Sequence, residues 1–210
     1  MTTNGRLLIW EIDETNGFDT AWARLDGTRL IADGRSAGLR PFPNWVTYAL
    51  ETSDDWVTAR MRADARWDDG SASLDLRRDD RGWTVNGEAR PDLADALDCD
   101  LAGCPLTNTM PALRHDLLQR AGDHEFLMAF IEIPSLRVVP SRQRYTHVRT
   151  LAVEDSGGAV MKYRSGSFES DLTFDADGFV LDYPQLGRRV RASEPVTGIR
   201  AAGPGTNRPG

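Results

Sequence analysis

Along residues 56–67 polar and apolar side chains alternate with period two. Trp56, Thr58, Arg60, Arg62, Asp64 and Arg66 share one face; Val57, Ala59, Met61, Ala63, Ala65 and Trp67 share the other. Successive side chains of a strand point to opposite faces, so this pattern predicts a half-buried antiparallel strand. Similar runs predict strands over 6–11, 22–32, 45–52, 71–78, 82–85, 126–133, 137–148, 160–165, 168–175, 179–183 and 188–192. Between them stand Asp26-Gly27, Asp69-Gly70, Asn86-Gly87 and Asp177-Gly178, with Gly157-Gly158 as a further candidate. Such dipeptides tolerate the positive φ that two-residue hairpin turns require. Helix is scarce, with two turns expected over 113–120 and one over 91–96. About eleven strands with short turns imply a mostly β fold: a curled antiparallel sheet, a half-barrel, carrying one or two short helices. A sheet of that size either fills its interior with side chains or encloses a cavity.

Composition narrows the picture. A chain of 210 residues suits one β-rich domain, expected over 1–197, followed by a flexible Gly/Pro-rich tail over 198–210. Hydrophobic residues make up 40% and charged residues 27%, as in water-soluble globular proteins. The formal charge of −7 argues against nucleic acid as a partner, which needs a basic surface. The chain carries 24 Arg and a single Lys, Lys162, and local clusters such as Arg188-Arg189-Val190-Arg191 read as solvated strand faces. The opening residues show no charged leader followed by an apolar run, and no apolar stretch approaches the roughly 20 residues of a membrane-spanning helix. A cytoplasmic protein without an integral membrane segment is the expectation. Cys99 and Cys104 are too few for a disulfide framework and lack the second pair that zinc prefers, so both read as buried thiols.

The hairpin rhythm breaks at residues 100–111, Asp-Leu-Ala-Gly-Cys-Pro-Leu-Thr-Asn-Thr-Met-Pro, just ahead of Arg114. Pro105 and Pro111 fix their own φ and bias the residue before each towards extended backbone. That argues against helix interior and against central strand. Thr107 and Asn108 can cap backbone groups or face a ligand. Gln143 and Tyr145 lie two apart on a predicted strand, so an amide and a phenol project from one face. With Thr107, Asn108 and Arg114 they form either a polar mouth to an apolar cavity or a buried network that secures the loop. Six tryptophans, at 10, 22, 45, 56, 67 and 83, are spread over the strands and suit core packing or contact with an acyl chain or sugar face.

Catalytic signatures are missing. There is no phosphate-binding glycine loop and no His-Glu-x-x-His, and the Gly-x-Ser-x-Gly letters at 34–38 have no helix expected after them and so make no nucleophile elbow. His115, His124 and His147 are scattered. Asp175-Ala-Asp177-Gly178 opens like a calcium loop but lacks the later ligands and the closing Glu, which leaves a hairpin turn with an Asx cap. No cofactor and no metal are expected.

Several segments in order resemble the bacterial putative glycolipid-binding family, long treated as a domain of unknown function. They are Asp79-Asp80-Arg-Gly82-Trp83-Thr-Val-Asn-Gly87, Leu97-Asp98-Cys-Asp100-Leu101, Pro105-Leu-Thr107-Asn108-Thr109-Met-Pro111, Arg114, Gln143-Arg-Tyr145, and Asp175-Ala-Asp177-Gly178-Phe-Val180-Leu-Asp-Tyr183-Pro184. The family favours a basic pair after the second proline; here Leu113 stands at the first of those places and Arg114 at the second. The resemblance implies a curled sheet similar in outline to bacterial lipoprotein carriers, a glycolipid-like ligand, and no catalytic residues.

The function expected is non-catalytic binding of a lipid or glycolipid-like amphiphile within the curl. Trp83, Phe130 and Tyr145 are the candidate wall, Arg114 and Gln143 the opening, and Asp100, Thr107 and Asn108 the remaining polar contacts. A volume of about 300 Å³ or more is expected for such a site. One rival is an enzyme acting on a small amphiphile, with Asp98, Asp100 or His115 as general acid or base, because carboxylates two apart on a strand share a face and can split their pKa values. The other rival is an interaction module that uses sheet edges.

Overall fold

A computed structural model describes residues 5–150 and 158–191. Its strands are β1 Arg6–Ile12, β2 Gly17–Asp26, β3 Arg29–Gly38, β4 Asn44–Thr52, β5 Thr58–Trp67, β6 Gly70–Asp79, β7 Gly82–Val85, β8 Glu88–Ala89, β9 Asp98–Leu101, β10 Asp123–Ile131, β11 Val138–Arg149, β12 Ala159–Ser165, β13 Phe168–Phe174, β14 Val180–Tyr183 and β15 Gly187–Arg189. A single α-helix is present among these residues, α1 Thr109–Arg114. All the strands join one open sheet in the order β8-β7-β6-β5-β4-β3-β2-β1-β15-β14-β13-β12-β11-β10-β9. Neighbours are antiparallel except β9, which lies parallel to β10. The mostly β half-barrel expected from the alternation is therefore the fold found.

The sheet curls until its two ends approach each other. The Leu97 carbonyl, just before β9, accepts from the Thr58 N–H of β5 at 3.0 Å. Arg90, beyond β8, reaches the Val138 carbonyl of β11 at 3.0 Å. Inward-facing Trp10, Leu30, Leu50, Met61 and Leu76 are fully buried. Their partners across the interior come largely from the segment between β9 and β10, where residues 104–112 are all buried. Fully burying a side chain such as Leu106 or Met110 stabilises by roughly 1.5–3 kcal/mol. The concave face is thus covered by the chain's own loop and helix.

Local chemistry explains the differences from the expected elements. Residues 22–32 are two strands, β2 and β3, which reverse at Gly27 with φ 62°. Trp56 ends a 3-10 turn, Asp54–Trp56, with φ 61°, so β5 begins only at Thr58. The register slips between Glu51 and Thr52, and the Thr58 side chain lies inward with the buried set instead of outward. There its Oγ1 accepts from the Cys99 N–H at 3.0 Å. The turn after β5 is formed by Asp68 and Asp69, and Gly70 already belongs to β6. β8 and β9 carry no alternation long enough to be read.

The proline-bounded segment is helical, contrary to expectation. Pro105–Asn108 form a 3-10 turn that runs into α1. Pro105 opens the first turn and Pro111 falls in the first turn of α1, where a missing N–H costs little. The helix expected over 113–120 stops at Arg114, and Asp116 at φ 51° prevents its continuation. The Asp175 turn follows its expectation: Oδ1 accepts from the N–H groups of Asp177 and Phe179, and Oδ2 meets Arg189 at 2.7 Å. The tail over 198–210 lies outside the described residues, as does Gly157 of the Gly157-Gly158 turn.

Candidate functional site

The loop from β9 to α1 is tied to the sheet through polar side chains that the alternating strands aim inward. Asp98 and Asp100 share one face of β9, while Cys99 faces the other side against Thr58. Arg114 forks onto Asp98, with Nη1 to Oδ1 at 2.7 Å and Nη2 on Oδ2. Its guanidinium also lies 5.8 Å from the centre of the Phe126 ring. Thr107 Oγ1 sits 2.7 Å from Asp100 Oδ1 and 2.9 Å from the Cys104 carbonyl, sharing one proton between them. Gln143 Nε2 donates to the other Asp100 oxygen at 2.6 Å. Asn108 Oδ1 accepts from the Tyr145 hydroxyl at 2.7 Å, and Nδ2 donates to the Pro105 carbonyl at 3.2 Å.

Burial raises the pKa of Asp98, with Arg114 opposing the shift. Burial likewise raises Asp100, against the donors Gln143 and Thr107, while the Asp98 charge adds to the rise. His115 follows α1, its ring 4.3 Å from that of His124. Burial first, and then the proximity of His124 and Arg114, push its pKa down to about 4, so it is neutral at neutral pH.

A recess of about 250 Å³ opens beside this network, lined by Asp100, Asn108 and Phe130 together with Glu14, Gly103, Cys104, Tyr163, Ser165, Phe168, Tyr183 and Leu186 among others. Thr107, Gln143 and Tyr145 are not in its lining but hold Asp100 and Asn108, which are; Arg114 is not in the lining either and holds Asp98, which lies outside it as well. Trp83 stands apart on β7, buried, its Nε1 donating to the Ala96 carbonyl at 2.9 Å. Leu113, at the first place of the family's basic pair, fits the space that a side chain on Gly178 would fill.

Aromatic rings connect the network to the recess. Tyr145 meets Tyr163 edge-on at 5.3 Å, and Tyr163 meets Phe168 and Tyr183 at 6.1 and 5.8 Å. Burial holds the hydroxyls of Tyr163 and Tyr183 protonated, well above the ordinary phenol range. Glu14, Tyr163, Phe168 and Tyr183 were missed by sequence reasoning. A tyrosine at strand spacing looks the same whether it packs a core or lines a hollow, and Glu14 looks like any turn acid.

A family model described as putative glycolipid-binding matches residues 7–189. The chain belongs to that family. A crystal structure of a DUF1089 family protein from Pseudomonas aeruginosa is similar to it, with 30% identity and a TM-score of 0.66 over 82% of this chain and 92% of that one. No curated relative matches.

A second polar cluster lies inside the curl, also missed. Asp19 of β2 is fully buried; its Oδ2 accepts from the Tyr48 hydroxyl of β4 at 3.1 Å, and the Cys104 thiol donates to that hydroxyl oxygen at 3.4 Å. Asp19 Oδ1 has no partner among the described residues. Burial pushes the Asp19 carboxyl up to about 7 against these hydrogen bonds, and pushes the Cys104 thiol well up as well. Gly34 makes room for the phenol: a Cβ there would stand 2.1 Å from Tyr48 Cζ.

Proposed function

We propose that the protein binds, without chemical change, an amphiphile whose head group is uncharged and rich in hydroxyls, as in a glycolipid. The observation that carries this reading is the lining of the recess by Phe130, Phe168 and two tyrosines beside the acceptors Asp100, Glu14 and Asn108, with no Arg or Lys in that lining. Aromatic faces suit the C–H faces of a sugar, and carboxylate and amide oxygens accept from its hydroxyls. A phosphate or carboxylate head would meet two acids there and be repelled. The family description agrees with this class of ligand. In this reading Asp98 anchors the loop through Arg114, and Asp100 anchors it through Thr107 and Gln143 while keeping a second lone pair on each oxygen for the ligand. The two free, buried thiols suit the cytoplasm, where cysteines stay reduced.

Isothermal titration of the full chain with an alkyl maltoside and an alkyl phosphate of equal chain length tests the reading. The maltoside should bind on the order of tenfold more tightly or better, and mass spectrometry should recover it intact. Equal or reversed affinities refute the uncharged head, and no binding of either refutes the binder.

A further inference from the structure

The wall formed by Glu14, Ala102 and Gly103 has two sides. One faces the recess; the other faces a second cleft of about 330 Å³. The second cleft is walled by Ile12, Phe18, Ala37, Pro41 and Ile133, with Thr15, Ser36, Arg40 and Asn44 among them. It continues, through Phe18, Ala37, Gly38 and Asn44, into a shallower groove that ends at Leu39, Trp45 and Trp67. Phe18 is 52% exposed, Leu39 59% and Trp45 45%, so this path keeps large apolar side chains in water. The saddle between recess and cleft is formed by Ala102 and Gly103, which carry little or no side chain, with Glu14 beside them, and Gly103 takes φ 70°.

We propose that the second cleft is the alkyl-chain subsite, a deepening that rests on the amphiphile-binding reading. The head lies in the recess against Asp100 and the aromatic rings. The chain crosses the Gly103 saddle and runs along Phe18 towards Trp45. The contrast between the two halves supports this direction. Both hollows are more apolar than polar, but the recess sets Asp100, Asn108 and the tyrosine hydroxyls beside its rings, whereas the cleft leads to the exposed Phe18, Leu39 and Trp45, which gain from covering by an alkyl chain. The occupant is accordingly one alkyl chain joined to one neutral head.

The test is a chain-length series of alkyl maltosides, from hexyl to dodecyl, each kept below its micelle threshold and titrated into the full chain. Each added methylene should tighten binding about fourfold until the cleft is filled. Phe18→Ser, at a half-exposed position that leaves the core intact, and Ala37→Phe, which fills the cleft, should both flatten that dependence. The loss in these variants should grow with chain length and be smallest for the hexyl compound. A chain-length dependence identical in parent and variants overturns the subsite while leaving amphiphile binding in place. Absence of binding by every maltoside to the parent chain overturns both.

Discussion

Replacing Asp19 by Asn should make the protein more stable as pH rises, and the size of the gain follows from the site. Asp19 is fully buried, with one oxygen on the Tyr48 hydroxyl and the other unpartnered among the described residues. Its carboxyl loses its proton at about 7 in the folded chain against 3.8 ordinarily. Between those values the folded state keeps a proton that the unfolded state has released. Stability is therefore full below pH 3.8, falls as pH rises, and levels off above about 7. Each tenfold difference in proton affinity between the folded and unfolded chain is worth roughly 1.4 kcal/mol, so the loss across that window is roughly 4 kcal/mol. Asn keeps the shape and an acceptor for Tyr48 but does not titrate. The stability difference, Asp19→Asn minus parent, should grow by roughly 4 kcal/mol from pH 4 to pH 8. Asp98 and Asp100 are raised in both proteins and cancel in the difference. Urea unfolding at closely spaced pH values reads it directly, provided the m-value stays constant. A difference that stays flat within about 1 kcal/mol over that range shows that Asp19 is ionised in the fold and refutes the reasoning.

Asn108→Ala removes the acceptor of the buried Tyr145 hydroxyl and the bond to Pro105, and should cost about 1–3 kcal/mol in denaturant unfolding. Arg114→Met alone should cost about 3–5 kcal/mol by leaving Asp98 buried and unpaired. Combining it with Asp98→Asn should recover much of that loss, and strict additivity in the cycle would show that the pair is not coupled. Phe168→Ala, at a partly exposed ring edge-on to Tyr163, should weaken alkyl maltoside binding about tenfold by titration while leaving the melting temperature nearly unchanged.

Much of the candidate site was legible as a list of residues but not as an arrangement. Thr107, Asn108, Arg114, Gln143 and Tyr145 stood out because hydrogen-bonding side chains in apolar surroundings need partners. Which partner each would find was not legible. Arg114 meets Asp98, and Gln143 meets Asp100, only because β9 adds in parallel to β10 and brings the loop under β11. Cys104 looked like any buried thiol, and its contact with Tyr48 depends on a loop folding back onto a strand more than fifty residues earlier.

By itself the sequence determined most of the strands and hairpin turns. Side-chain alternation and turn dipeptides act over a few residues, so β4, β6, β7 and β13 follow from their own composition. It also determined which side of each strand is apolar. What covers that apolar side was decided by the tertiary structure alone. The hydrophobic effect has no direction, and an apolar face is satisfied equally by a ligand, a second sheet or the chain's own loop. Here residues 104–112 cover most of it, the prolines start turns of helix, and margins of the curl stay open as the recess and the cleft beside Gly103.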